Sequence, residues 1–186
     1  MDAETLFDTR AGRQVLRLLA AVMESRLRYR FFGADKVLGG AGLRAGETVL
    51  EIGCGTGYFT QPAARLLGDQ GSLVAMDHLS VSVEAVTAKV QAASLSNVRV
   101  VHGDALDTGL TSESCDAVLI FGVIPAPALP LDLLLREMHR VLKPEGTLAV
   151  WPPSWVHRTI RSSGLFAYAG TRHGVMRYTR TGASPA

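Results

Sequence analysis

The sequence of 186 residues has little cysteine and no long apolar run. Cys54 and Cys115 are too few for a disulfide framework, and no CxxC or HxxxH spacing offers the ligands of a zinc ion. No apolar stretch approaches the roughly 20 residues that cross a bilayer. The first seven residues contain acids where a signal peptide would have a basic segment. We therefore predict a cytoplasmic protein that folds without disulfides and without a structural metal.

Charge is also scarce in places, although the net charge of +2 hides this. Counted along the sequence, residues 45–135 contain three basic residues against ten acids. Residues 1–44 contain eight against five, and residues 136–186 contain eight against two. Such asymmetry can attract an anionic substrate or a membrane surface to the two ends. The other interpretation is that solvated basic faces flank an acidic cleft.

What the sequence does contain is a regular alternation of apolar runs and helical patterns. Its length suits a single domain. Five short runs predict buried parallel strands: Glu47–Ile52, Ser72–Met76, Val98–Val101, Ala117–Phe121 and Thr147–Trp151. Segments with helical spacing lie between them: Phe59–Leu67, Val81–Leu95 and Pro130–Leu142. This order predicts a doubly wound, Rossmann-like α/β fold with a mostly parallel sheet.

The two ends of the chain depart from this alternation. After a short helix predicted over Ser154–Ser163, the strands Leu165–Tyr168 and Val175–Thr179 are too close together for a crossover, which predicts an antiparallel hairpin at one edge. Ala11–Phe32 has the pattern of an amphipathic helix and predicts a cap on the sheet. We therefore divide the chain into an N-terminal helical cap (1–40), a ligand-binding domain (41–180) and a disordered tail (181–186).

The strongest local motif runs from Val49 to Thr60, where a strand enters a glycine-rich turn that opens a helix. Its three alternate glycines allow a tight turn and a close approach of the backbone to a ligand. Tyr58 stands where the dinucleotide-binding fingerprint needs Gly or Ala, which disfavours a dehydrogenase. No Gly-Lys-Ser or Gly-Lys-Thr follows, which excludes a P-loop.

With Glu51 before the glycines, this stretch closely resembles motif I of the class I S-adenosylmethionine (AdoMet)-dependent methyltransferases. Further matches follow in order over about residues 42–179. The resemblance implies a seven-stranded sheet with an antiparallel edge strand, and a ribose-binding role for Asp77 and an adenine-binding role for Asp104. The cofactor-binding residues it implies are Glu51, Gly53, Cys54, Gly55, Thr56, Gly57, Tyr58, Asp77, His78, Gly103, Asp104, Ala105, Phe121 and Gly122. An acid about 20 residues past the turn also suits bidentate acceptance from a diol.

The methyl acceptor is expected to be small or lipid-like, because the segment after the fourth strand, Val123–Pro130, is apolar. The Asn-Pro-Pro-Tyr type of motif, which relatives that methylate amino groups of nucleic-acid bases or of glutamine use, is absent. Its absence disfavours a nucleic-acid substrate. Alignment and desolvation can suffice for the transfer, and the candidates for a general base are His157, His102 and Tyr29. Trp151 suits core packing and substrate contact equally, and His139, between charged residues, is expected at the surface.

Two alternative functions stay open. The basic residues of segment 10–30 flank an apolar stripe, which suits a peripheral membrane enzyme that methylates a quinone or a phospholipid. A soluble helix that caps its own sheet has the same pattern. From another class, the chain can be a catalytically idle AdoMet-binding protein that regulates a partner. The sequence leaves the oligomeric state open.

Overall fold

The computed structural model describes residues 33–123, 130–152 and 156–182. The elements in chain order are α1 (Ala34–Ala41), β1 (Thr48–Ile52), α2 (Thr60–Leu67), β2 (Ser72–Asp77), α3 (Ser80–Ala92), β3 (Val98–His102), β4 (Cys115–Phe121), α4 (Leu131–Val141), β5 (Leu142–Trp151), α5 (Val156–Ser162), β6 (Phe166–Arg172) and β7 (Val175–Arg180). The predicted cap helix, Ala11–Phe32, lies outside the described residues. So do residues 183–186 of the predicted tail.

All seven strands form one sheet in the order β3-β2-β1-β4-β5-β7-β6. The first five are parallel, and β7 pairs antiparallel with both β5 and β6. The predicted doubly wound fold and the hairpin at one edge are therefore confirmed. Within the hairpin, β7 is the reversed strand and β6 lies outermost.

The central strands are buried on both faces, as their continuous apolar runs predict. One face packs against α4 and α5 around Leu50, Val118 and Leu148. The other face packs against α1 and α2 around Val49 and Leu119. Strand β3 was also expected to be buried but is only half-buried, because it forms the free edge of the sheet.

Helix α1 packs on the hairpin through a glycine contact. A Cβ at Gly40 would lie 2.4 Å from the carbonyl oxygen of Arg172 and 2.9 Å from Val175. A side chain larger than hydrogen would push the hairpin away from the helix. The glycine therefore joins the segment before β1 to the last two strands.

The crossover from β3 to β4 is held by an ion pair on α4 between a buried glutamate and a half-buried arginine. Glu137 accepts hydrogen bonds from the amide and hydroxyl of Thr108 and forms a 2.7 Å ion pair with Arg140. Arg140 also donates to the carbonyl oxygen of Leu110. These bonds fix a loop that crosses the sheet without a helix of its own. Among the described helices, none is long and apolar enough to span a membrane.

Candidate cofactor site

The glycine turn, defined here as residues 53–57, directly follows β1 at the carboxyl edge of the parallel strands. Gly53, Gly55 and Gly57 have φ angles of +68°, +54° and +78°, which other residues rarely adopt. Among the described residues, a Cβ at Gly55 would meet only the Gly53 carbonyl oxygen, at 3.9 Å. With respect to that part of the chain, the middle glycine leaves open space at the sheet edge where α/β proteins bind their ligands.

Backbone hydrogen bonds hold the turn against β2. The amides of Gly53 and Cys54 both donate to the Met76 carbonyl oxygen, over 2.8 and 3.0 Å. The Gly57 amide closes the turn by donating to the Cys54 carbonyl oxygen over 2.8 Å. The turn is thus tied to the neighbouring strand at its start and to itself at its end.

Asp77, the predicted ribose acceptor, is the last residue of β2 and is 6% exposed. Its Oδ2 accepts a hydrogen bond from the Gly55 amide at 2.8 Å, and its Oδ1 accepts one from the Leu79 amide at 3.0 Å. A carboxylate oxygen can accept two hydrogen bonds. Within the described residues no second hydrogen bond reaches either oxygen, and the Nδ1 of the exposed His78 lies 3.7 Å from Oδ1, so each oxygen keeps a lone pair with which a ribose hydroxyl can be bound.

Glu51 lies on β1 two residues before the turn and is 2% exposed. Its Oε2 accepts a 2.7 Å hydrogen bond from the Thr60 hydroxyl at the start of α2. Burial raises the pKa of Glu51 to about 7, the Thr60 bond opposes this rise, and the negative charge of Asp77 adds to it. The turn therefore has beneath it a carboxyl group that changes charge near neutral pH.

The Cys54 side chain points into the core and not toward a ligand. It packs beside Ala75, Val86 and Val90 and is 5% exposed. Burial raises the pKa of the Cys54 thiol far above its ordinary value, so the nucleophilic thiolate is not formed near neutral pH. Its contribution to the site is its backbone.

The residues predicted to hold the adenine lie next to β2, at the outer edge of the sheet. His102 ends β3 opposite Asp77, and its Nε2 lies 2.8 Å from the carbonyl oxygen of the exposed His78. The Gly103 amide donates to the Asp77 carbonyl oxygen. Asp104 is exposed and accepts a hydrogen bond from the Leu106 amide, whereas Ala105 is partly buried.

On the other side of the turn, β4 ends at Phe121. The Phe121 ring is 5% exposed and packs edge-on against Phe59 with 5.0 Å between centroids, so only its backbone and Gly122 lie at the strand end. Val123 follows, and its Cγ2 lies 2.4 Å from where a Gly53 Cβ would stand. The apolar segment after β4 thus begins in contact with the glycine turn, and residues 124–129 lie outside the described part of the chain.

Two of the three candidate bases lie in the described residues, on opposite sides of the turn. His102 is on the edge strand β3, whereas His157 is on α5, which follows β5. The Nδ1 of His157 lies 2.7 Å from the hydroxyl of Tyr178, a buried residue whose pKa burial raises to about 12. Tyr29 lies outside the described residues. The two histidines therefore lie apart, on opposite sides of the sheet's central strands, and their catalytic role stays a prediction.

The structure also places two residues outside the motifs. Trp151 is 9% exposed, and its ring packs against Phe59 at 5.8 Å, so it is part of the core, and its contact with a substrate stays a prediction. The expectation that His139 is at the surface is wrong. It is 3% exposed, its Nε2 lies 2.9 Å from the Thr181 carbonyl oxygen, and its ring meets Phe166.

Sequence reasoning missed two polar residues that support the site. Thr60 begins α2 and satisfies the buried Glu51. Lys89 lies on α3 and donates through Nζ to the Thr56 carbonyl oxygen over 2.8 Å. Both lie outside the motif's glycines, and helical spacing from α3 gives no sign that Lys89 reaches the turn.

A cavity of about 590 Å³ lies at the opposite end of the sheet. The first residues of four strands line it, namely Thr48, Ser72, Val98 and Cys115. It is therefore at the amino ends of the strands, away from the glycine turn. We do not assign it to the ligands of the turn. Within the described ranges, no cluster of metal-ligating side chains was found.

Comparison with curated proteins identifies relatives over part of the chain. A family described as "Methyltransferase domain" matches residues 49–146, just over half of the chain. Demethylmenaquinone methyltransferase of Staphylococcus aureus is 37% identical over 114 residues, which cover 60% of this chain. The same match covers 45% of the relative, so the chain spans about half the length of the curated relatives it matches.

Two solved structures share the fold over nearly the whole chain. A SAM-dependent methyltransferase from Aquifex aeolicus has a TM-score of 0.75 at 22% identity and covers 90% of this chain and 96% of its own. An S-adenosyl-L-methionine-dependent methyltransferase, described as putative, from Methanococcus maripaludis has a TM-score of 0.74 at 16% identity, with coverages of 97% and 96%. At these identities the likeness concerns the fold.

Proposed function

The chain belongs to the methyltransferase-domain family, and from this premise we propose that it transfers the methyl group of AdoMet to a small or lipid-like apolar acceptor. The family match confirms the prediction of an AdoMet-dependent methyltransferase. The cofactor is therefore AdoMet, and the product of the transfer is S-adenosylhomocysteine. The identity of the acceptor is the part that we propose.

The residues at the carboxyl edge fit this cofactor. The open space at Gly55 admits a ligand close to the backbone, and the Asp77 carboxylate keeps acceptor capacity for a diol beside it. Asp77 and Asp104 make this edge acidic, which suits a ligand that carries an ammonium and a sulfonium group. We assign the turn to the methionine part, Asp77 to the ribose and Asp104 to the adenine.

AdoMet supplies an electrophilic methyl group, and the protein's task is to align an acceptor with it and to exclude water. The observation that supports an apolar acceptor is the contact of Val123 with Gly53. Because Val123 begins the apolar sequence that follows β4 and contacts the glycine turn, an acceptor that packs on Val123 would lie close to the cofactor. Apolar side chains favour an apolar molecule by burying its surface.

Within this class we favour a quinone-like ring. The relative that is 37% identical is a demethylmenaquinone methyltransferase, although the match covers less than half of that protein. A reduced quinone offers an electron-rich ring as the nucleophile, and its isoprenoid tail suits the apolar composition of the sequence after β4. This substrate was the membrane-docked alternative from the sequence, and the relative's name now supports its chemistry.

Transfer of a labelled methyl group from AdoMet to a small panel of acceptors tests the proposal. The panel contains a reduced naphthoquinone with a short isoprenoid tail, the same ring without the tail, phosphatidylethanolamine in vesicles, and a polar catechol. We expect transfer to the tailed ring to be the fastest, and Asp77→Ala protein, at an AdoMet concentration that does not saturate it, serves as the control with reduced activity. Faster transfer to the catechol would refute the apolar acceptor, and faster transfer to the phospholipid would replace the quinone.

Binding of AdoMet without transfer to any acceptor would favour the idle regulatory protein. Calorimetric titration in the same preparation separates this outcome from a protein that has lost its fold. A stoichiometry near one cofactor per chain, with no labelled product, would favour regulation.

A further inference from the structure

Lys89 reaches the glycine turn from a helix that is not part of the glycine motif. It lies in the last turn of α3, half-buried, and its Nζ donates a 2.8 Å hydrogen bond to the Thr56 carbonyl oxygen. Its side-chain stem covers the turn as well, because Cδ lies 3.8 Å from where a Gly57 Cβ would stand. One turn earlier on the same helix, Val86 lies 3.3 Å from that point.

We propose that Lys89 is a positioning residue that holds the glycine turn in its cofactor-binding conformation. The inference rests on the proposed function, since it concerns the same cofactor site. Lys89 acts through the backbone of Thr56 and touches neither the methyl group nor the acceptor in this proposal.

The peptide group between Thr56 and Gly57 is fixed at both ends. Its carbonyl oxygen accepts from Lys89, and its amide donates to the Cys54 carbonyl oxygen. Because a peptide group is planar, two such bonds on opposite sides fix the orientation of the plane. Without Lys89, the carbonyl end of this plane loses that bond, and the neighbouring glycines can rotate through a wide range of φ.

The orientation of this plane matters for the amide next to it. Among the residues that the structure describes, Gly53, Cys54, Gly55 and Gly57 all have partners for their amides, but the Thr56 amide has none. It is therefore the donor of the turn that is left for a ligand. A charged ammonium donor forms a stronger bond than a neutral donor, so Lys89 is well suited to hold the turn.

The test compares Lys89→Met, which keeps an apolar stem but removes the ammonium group, with Lys89→Arg, which keeps a cation. Lys143→Met is the matched control, because Lys143 forms a 2.7 Å ion pair with Asp116 near the amino end of the sheet. For each protein we would measure S-adenosylhomocysteine affinity by calorimetry, the melting temperature, and the hydrogen exchange of the Gly57 amide without ligand. For each protein that is active, KM for AdoMet and kcat are measured as well and compared with those of the wild type.

We expect Lys89→Met to weaken binding about tenfold, which is about 1.4 kcal/mol. KM should rise with little change in kcat, the Gly57 amide should exchange faster, and Lys89→Arg should restore most of the affinity. Lys143→Met should bind normally even if its melting temperature falls. If Lys89→Met does not fold, Lys89→Gln, whose amide can still donate, replaces it and should give a smaller loss of affinity.

Normal affinity in the folded Lys89→Met protein would overturn the proposal. The proposal would also fail if Lys143→Met lost affinity in the same proportion to its loss of stability as Lys89→Met does. Lys89 would then only stabilise the fold. A wild-type protein that binds neither AdoMet nor S-adenosylhomocysteine would instead refute the proposed function. The two failures are thus distinguishable in one set of titrations.

Discussion

The Asp77 carboxylate and the Gly55 amide are joined by a 2.8 Å hydrogen bond, so the end of β2 holds the turn that follows β1. The group proposed to bind the ribose is thus also part of what shapes the glycine turn. Loss of this side chain removes a ligand contact and a support of the turn together. A substitution at Asp77 should therefore affect both affinity and local order.

We predict that Asp77→Ala weakens S-adenosylhomocysteine binding roughly ten- to a hundredfold, since a hydrogen bond to a charged group contributes about 1.5 to 3 kcal/mol. Asp77→Glu should lose less, because its carboxylate can still accept from the diol. Calorimetric titration measures both constants. A folded Asp77→Ala protein with normal affinity would show that the ribose assignment is wrong.

The chain should bind AdoMet and S-adenosylhomocysteine but not NAD. Tyr58 stands where the dinucleotide fingerprint needs Gly or Ala for close helix–strand packing, and the next residue, Phe59, is buried against Phe121 and Trp151. Calorimetry with each ligand is sufficient. Tight NAD binding without a response to AdoMet would contradict this prediction.

Glu51 should make the protein less stable as the pH rises toward neutrality. Its pKa is raised from an ordinary value near 4.5 to about 7, so between these values the folded state binds a proton that the unfolded state lacks. Stability is then lost from pH 4.5 to 7, by roughly 3 kcal/mol for a shift of this size. Glu51→Gln should remove this loss, and its melting temperature relative to the wild type should rise between pH 5 and 8.

The exposed Glu113 supplies the control for this measurement. Glu113→Gln breaks a surface ion pair with Arg180 and should show no such rise. The carboxyl groups of Asp116 and Glu137 have lowered pKa values because their hydrogen bonds outweigh desolvation, so they titrate below this window. A constant difference between Glu51→Gln and the wild type would mean that Glu51 is already ionised at pH 5.

Deleting residues 1–32 should abolish turnover while it leaves a folded core with weakened cofactor binding. The physical reason is the short connection between β5 and the hairpin, about a dozen residues, which is too few for an inserted lid. We therefore propose that the N-terminal segment excludes water from the methyl group. Circular dichroism and a turnover assay measure the two effects. A truncated protein that stays folded and methylates at the normal rate would refute the lid.

The apolar runs predicted the strands because a parallel sheet buries both faces, and each predicted strand overlaps an observed one. Their ends were harder to predict where pairing does not depend on apolar side chains. Strand β5 begins at Leu142, five residues before the predicted start, and β6 extends to Arg172 through exposed residues. In these segments the backbone hydrogen bonds between strands determine where a strand begins and ends, and the sequence pattern gives no signal of these bonds.

The burial of His139 and the existence of helix α1 were not predicted, for different reasons. Charged neighbours in the sequence suggested a surface histidine, but Leu135 is four residues earlier on the same helix face and is buried with it. In α1, Gly39 and Gly40 give no helical signal, yet the glycine at 40 allows the hairpin to approach. Contacts between distant parts of the chain decided both cases.

The order of the strands has a consequence for protein engineering. Every residue assigned to the cofactor lies on β1 to β4 or in the segments that directly follow these strands, whereas β5, β7 and β6 complete the other side of the sheet. The matched family region also ends at residue 146, before the hairpin. Exposed hairpin positions such as Tyr168 and Thr171 can therefore be substituted without removing a residue assigned to the cofactor, and AdoMet affinity reports whether each variant is intact.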